Sequence, residues 1–165
     1  LAAGRGLYET TAELAARLGV ACAIHPMTED SVRTTVHTPE GDLPFQHYFV
    51  RHQCEPPVTG FNFDGISAAR PNRRVAALLQ NGEVGRIVVC PSNPFVSIDP
   101  ILQVPGLWLA LRDSAAPVSL GSPIVAGAAL KGPTAKMMQE LDLPVTALGV
   151  LNTSAPATRG SWTTS

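Results

Sequence analysis

The sequence is poor in the features that mark several large classes of protein. Aromatic residues make up 5% and charged residues 15%, with a formal net charge of -1, so the chain is neither a solvated disordered polymer nor a polyelectrolyte for nucleic acid. Long apolar runs are missing too. Ile87-Val88-Val89-Cys90 is cut by Pro91, far short of the roughly 20 residues that a membrane helix needs, so no membrane span is expected. Cysteine is scarce: Cys22, Cys54 and Cys90 fit neither a paired disulfide framework nor a CxxC site, which leaves reduced thiols and a cytoplasmic location as the simplest expectation. His25, His37, His47 and His52 never reach HExxH spacing, and no histidine metal cluster is expected. Gly4-Arg5-Gly6 lacks the third glycine and the preceding strand of a dinucleotide fingerprint. The chain opens Leu1-Ala2-Ala3-Gly4, without an initiator Met or a signal-peptide pattern, and a fragment is the expectation.

What is present suits one domain. A chain of 165 residues with 45% hydrophobic content can bury roughly two thirds of its unfolded surface without disulfides or metals. Its 15 Pro and 14 Gly call for many turns and shaped loops. The spacing of Ala12, Leu14, Ala15 and Leu18 predicts a helix over Thr10–Val20, supported by Glu13 and Arg17 one turn apart and stopped near Gly19. Ala21–Ile24, Val32–His37 and Phe45–Arg51 read as strands, which makes the middle third a β-rich hairpin or meander. Val75–Leu79 reads as a helix ended by Asn81-Gly82, leading into a buried strand over Arg86–Cys90. A helical segment at Leu107–Leu111 and a strand at Val118–Leu120 complete a parallel βαβ unit. A further helix is predicted over Thr134–Leu141, with Met137, Met138 and Leu141 on one face. The expected class is α/β, with a packed domain over 1–150 and a small, polar tail without packed structure over 151–165.

Position singles out Cys90–Pro100 as the first candidate site, because ligands of open α/β sheets bind at the carboxyl ends of the strands. Its three prolines stiffen the loop, while Ser92, Asn93 and Ser97 offer hydroxyl and amide groups. The same side chains could equally satisfy only their own backbone in a Pro-rich turn. A second loop, Gly121–Pro133, opens on the same edge and carries Ser122 and Lys131, the latter suited to an anion or simply solvated. Asp64, in Phe61-Asn62-Phe63-Asp64-Gly65, is a candidate magnesium ligand or a turn residue. Arg70, Arg73 and Arg74 flank Pro71-Asn72 and could contact a phosphate or form a solvated face.

These loops resemble those of the 2-phospho-L-lactate transferase family. The resemblance is carried by Val89-Cys90-Pro91-Ser92-Asn93-Pro94, Ser97-Ile98, Pro100-Ile101-Leu102 and Val104-Pro105-Gly106. Ser122-Pro123-Ile124, Leu130-Lys131-Gly132-Pro133, Lys136-Met137-Met138, Phe45–Val50 and Ala147-Leu148-Gly149-Val150 follow in the family's order. It implies a Rossmann-like three-layer sandwich with a mostly parallel sheet and a β-rich excursion, here incomplete. It further implies transfer of a phospholactyl or phosphoenolpyruvyl group from a guanosine diphosphate (GDP)-activated donor to a deazaflavin hydroxyl, with magnesium (Mg2+) as cofactor, in coenzyme F420 biosynthesis. On that reading Ser92, Asn93, Pro94 and Ser97 line the donor site, Ser122 and Lys131 lie beside it, and a homodimer is conceivable. Departures accompany the likeness: the family's opening strand and Gly-rich loop are missing, Asp99 replaces a small residue, and the tail diverges after Leu151, so the fragment alone is expected to be inactive. The rival readings are a nucleotide-sugar-binding regulatory module of the gluconeogenesis-factor type, whose members resemble Gly-Ser-Leu-Tyr at the first loop, and a non-functional translated fragment.

Overall fold

A computed structural model describes residues 4–129 and 132–154. Helix α1 spans Leu7–Arg17, and its start is set from far along the chain. The carboxylate of Glu29 accepts the backbone N–H groups of Leu7 (2.7 Å) and Tyr8 (3.0 Å), doing the work of an N-cap side chain that Gly6 lacks. The helix therefore begins before the predicted Thr10. The predicted strand at Ala21–Ile24 does not form: the segment is exposed and pairs with nothing.

The β-rich excursion is present as a three-stranded antiparallel sheet. β1 (Arg33–Thr38) is central, flanked by β2 (Gly41–Pro44) and β3 (Gly60–Asp64). Val36 lies opposite Leu43 on one side and Phe61 on the other, and is fully buried. The predicted strand over Phe45–Arg51 is instead a helical turn, with a π-helical segment at His47–Arg51. Phe45, Tyr48 and Phe49 sit at helical spacing, which sequence alternation concealed. Phe45 stacks on Phe49 at 5.6 Å, while Tyr48 turns into the core and donates to the Cys54 carbonyl at 3.2 Å.

The α/β part begins at a short 3-10 turn, Ile66–Ala68, and continues with α2 (Arg73–Gln80), capped by the Asn72 side chain on the Arg74 N–H. β4 (Ile87–Val89) follows, then a π-helical turn (Pro94–Ile98), α3 (Asp99–Leu102), α4 (Leu107–Asp113) and β5 (Val118–Leu120). β4 and β5 are parallel, Ile87 opposite Val118 and Val89 opposite Leu120. β4 is not buried on both faces as expected: Val88 is 60% exposed, since no described element covers that face of the pair. A short antiparallel pair, β6 (Ile124–Val125) and β7 (Ala128–Ala129), precedes α5 (Thr134–Glu140) and α6 (Ala147–Ser154). The α/β class, the parallel pair with helices between and the excursion thus agree with the sequence.

α6 runs past the expected boundary at 150 as far as Ser154, which is fully buried. The rest of the predicted tail lies outside the described residues. One hydrophobic cluster unites the excursion (Val36, Tyr48, Val58) with the α/β part (Phe95, Met137, Met138, Val150). Among the described residues no single helix is long and apolar enough to cross a membrane. Pro94–Leu102 and Leu107–Asp113 pass that test only together, bent by 82°, and their Ile98, Leu102 and Trp108 form a packed cluster of their own.

The cysteines separate by environment. Cys22 and Cys90 are exposed, whereas Cys54 is buried and burial pushes its thiol pKa up. Titration of the native chain with a thiol reagent is expected to show two fast thiols, with the Cys54 thiol reacting only on unfolding. Fast modification in a Cys22→Ser/Cys90→Ser variant would contradict the packing of Tyr48 over this segment.

Candidate functional site

The candidate loops leave the carboxyl ends of the parallel strands and touch. The Gly121 N–H donates to the Val89 carbonyl at 2.9 Å, extending the ladder by one step beyond β5. A Cβ on Gly121 would lie 2.8 Å from Pro91 Cδ and Cγ, so only glycine lets the second loop approach the first this closely. The Ser-Asn-Pro segment and the Gly121-Ser122 segment are thereby held side by side.

Asn93 makes the first loop rigid. Its Oδ1 accepts from the Phe95 N–H (2.9 Å) and the Val96 N–H (3.2 Å), capping the π-helical turn that Pro94 opens. Its Nδ2 donates to Met137 Sδ at 3.2 Å, tying the loop to α5. Pro94 is fully buried beside Phe95, whose ring stacks on Phe61 of β3 at 5.4 Å. Asp99 follows this turn and accepts from Gln103 Nε2 at 2.9 Å.

The polar groups of the two loops are used unequally. Asn93 satisfies its own turn, and Ser122 does the same, its Oγ accepting from the Ile124 N–H at 3.0 Å and facing the Ile124 carbonyl at 3.3 Å. Ser97 is exposed and Ser92 partly so, and among the described residues neither hydroxyl has a partner. These two hydroxyls, on a loop held by the Asn93 bonds, are open to a ligand. Lys131 lies outside the described residues.

Asp64 is elsewhere. It ends β3 on the face opposite Phe61 and Phe63, where it accepts from Thr35 Oγ1 (2.7 Å) and Asn62 Nδ2 (2.6 Å). No three His, Cys, Asp or Glu side chains converge to hold a metal ion among the described residues.

Sequence reasoning missed a network beneath the site. Lys136 on α5 donates to the Pro56 carbonyl (2.9 Å) and pairs with Glu140 (2.6 Å), whose Oε2 accepts the Val58 N–H (3.0 Å). The Lys136 and Glu140 spacing of one helical turn was the available signal. Tyr48 shares this environment, 3.5 Å from Lys136 Nζ, and burial pushes its phenol pKa far up, so the hydroxyl stays a donor.

Fold and loops define a Rossmann-like α/β protein with its candidate polar groups at the carboxyl ends of two parallel strands. The chain belongs to the family described as 2-phospho-L-lactate transferase CofD, whose model matches residues 1–161. It is 35% identical over 147 residues to the 2-phospho-L-lactate transferase of Methanosarcina barkeri, covering 89% of this chain and 46% of that protein. It is 33% identical over 156 residues to the phosphoenolpyruvate transferase of Mycobacterium ulcerans, covering 91% of this chain and 47% of that one. The chain thus spans about half the length of the curated relatives it matches. Among solved structures, a Bacillus halodurans protein of the UPF0052 family superposes with a TM-score of 0.51 at 18% identity, covering 67% of this chain and 34% of that one. A second crystal structure from the same organism gives a TM-score of 0.54 at 17% identity, covering 70% and 36%. At these identities the likeness is one of fold.

Proposed function

We propose that this chain is part of a transferase of coenzyme F420 biosynthesis that moves a phospholactyl or phosphoenolpyruvyl group from a GDP-activated donor to a deazaflavin hydroxyl. The carrying observation is the pair of hydroxyls, Ser92 and Ser97, without a partner among the described residues, on a loop clamped by Asn93 at the end of β4. Family membership and the names of the relatives supply the reaction class. In the transfer, the acceptor oxygen forms a bond to the phosphorus that carries the three-carbon acid. The diphosphate P–O bond breaks, GMP leaves with the bridging oxygen, and the hydroxyl proton passes to solvent.

The part this chain plays is positioning. Ser92 and Ser97 donate to phosphate oxygens of the donor, and the Asn93 clamp removes the loop-ordering cost that binding otherwise carries. Asn93 and Ser122 act on the loops rather than on the ligand. Magnesium, when bound, would neutralise charge on the donor's diphosphate, and no described residue of the two loops is assigned to hold it. On this proposal the 165-residue chain on its own binds the donor without turnover, an expectation that the experiment below tests.

Calorimetry of the chain with GDP and with a uridine-diphosphate sugar tests this. GDP is expected to bind in preference, weakened about fivefold by Ser92→Ala for one lost hydrogen bond. Gly121→Ala, which drives Pro91 away, is expected to weaken it at least as much while the fold persists. Preference for the uridine nucleotide, or indifference to both substitutions, would overturn the donor site; coupled deazaflavin formed by the chain alone would overturn the inactivity.

A further inference from the structure

Away from the two loops, a cleft of about 330 Å³ opens between the start of α1 and the start of α2. Arg70, Arg73, Arg74 and Tyr8 line it, together with Glu29 and Asp30. No residue of the Ser-Asn-Pro loop takes part. We propose that this cleft is a second, separate anion site that takes a phosphate chain of two or more phosphoryl groups, bound by the three guanidinium groups.

Both carboxylates in the cleft are already committed to backbone N–H groups. Glu29 holds the first N–H groups of α1, and Asp30 accepts the Arg70 N–H at 2.8 Å, which holds its carboxyl below the usual range. The guanidinium groups are not committed in the same way. Arg73 is exposed and forms no ion pair among the described residues. Arg70 is 79% exposed and reaches Asp30 only at 3.4 Å, a contact that a stronger acceptor displaces. Arg74 lies with its guanidinium 4.3 Å from the Tyr8 ring centroid, and that ring stacks on His25 at 5.3 Å and 8°. The ring face holds one guanidinium in place, and among the described residues its N–H donors have no hydrogen-bond partner, which suits recognition of phosphate. Three guanidinium groups against the two carboxylates leave the lining one net positive charge, and their forked donors suit the several oxygens of a diphosphate better than the two of a single carboxylate. The volume falls at the small end of ligand sites, enough for a phosphate chain.

Titration of the chain with inorganic pyrophosphate at low ionic strength tests the proposal. Saturable binding is expected, weakened about tenfold by Arg73→Ala and again by Arg74→Ala, and reduced by added salt. Tyr8→Leu is expected to cost about threefold, because it frees Arg74 without removing charge. The Arg73→Lys/Arg74→Lys variant keeps the charge and the fold, and is expected to recover only part of the affinity. The arginine-dependent part of pyrophosphate binding is expected to persist in Ser92→Ala, so this site and the donor loop fail independently. If GDP competes with pyrophosphate and loses affinity in the same arginine variants, a nucleotide supplies the phosphate chain; if only pyrophosphate responds, a free polyphosphate does. Absence of saturable binding, or equal affinity in the chain and in the folded Arg73→Ala/Arg74→Ala variant, overturns the site.

Discussion

Gly149→Ala is expected to destabilise the chain by about 3 kcal/mol, a loss of roughly 10 °C in Tm for a domain of this size. A Cβ at Gly149 would stand 2.0 Å from the Pro144 carbonyl oxygen and 3.1 Å from Met138 Cε. The first contact is with backbone and cannot be relieved by a rotamer change, so α6 must shift away from the turn before it. That shift breaks the cap in which Thr146 Oγ1 accepts the Gly149 N–H at 2.9 Å, and moves fully buried Val150 out of the core it shares with Met137 and Met138. Alanine's better helix propensity returns about 1 kcal/mol, which is too little to offset the overlap. Urea unfolding measures the difference, with Leu148→Ala as the neighbouring control. Leu148 is 61% exposed, and its truncation is expected to change stability by less than about 0.5 kcal/mol. Equal stabilities for the two variants would mean that the Pro144 turn is not packed against α6.

That contact shows why parts of the structure were legible in the sequence and others were not. The helices at Arg73–Gln80 and Thr134–Glu140 and the strands at Arg33–Thr38 and Val118–Leu120 advertise themselves through local periodicity and caps. The start of α1 does not, because its cap comes from Glu29, distant in sequence. The aromatic run from Phe45 misleads because Tyr48 is buried by a π-helical turn whose partners, Cys54 and Lys136, lie farther along the chain. Leu151–Ser154 look like tail by composition, yet tertiary burial of Ser154 keeps them helical.

The site divides along the same line. Strand ends and proline placement located the two loops, since both follow from chain order. Which polar groups remain available could not be read, because it depends on where each side chain finds a backbone partner. Asn93 and Ser122 turn inward to their own loops, and Ser92 and Ser97 do not. Asp64 fell on the wrong face for the loop because strand alternation sends Phe61 to Phe95 and the carboxylate to the opposite side.

Lys136→Ala is expected to cost about 3 kcal/mol, because this one side chain joins the excursion to α5. Its loss leaves the Pro56 carbonyl without its donor, Glu140, only 21% exposed, without its cation, and the Tyr48 hydroxyl without the ammonium 3.5 Å away. Lys136→Met keeps the packing and is expected to cost about 2 kcal/mol, the difference being the stem's share. Glu140→Gln keeps an acceptor for the Val58 N–H and removes only the charge. In the double variant Lys136→Met/Glu140→Gln no unpaired carboxylate remains, so its cost is expected to fall below the sum of the singles by about 1 kcal/mol. Additive costs in urea unfolding, or a loss under about 0.5 kcal/mol for Lys136→Ala, would make the pair an ordinary surface one. The consequence reaches the candidate site through the next residue, since Met137 Sδ receives Asn93 Nδ2 from the loop that carries Ser92. Loosening α5 therefore loosens that clamp, and hydrogen exchange at the Phe95 and Val96 amides is expected to rise in Lys136→Ala before the strands β4 and β5 open.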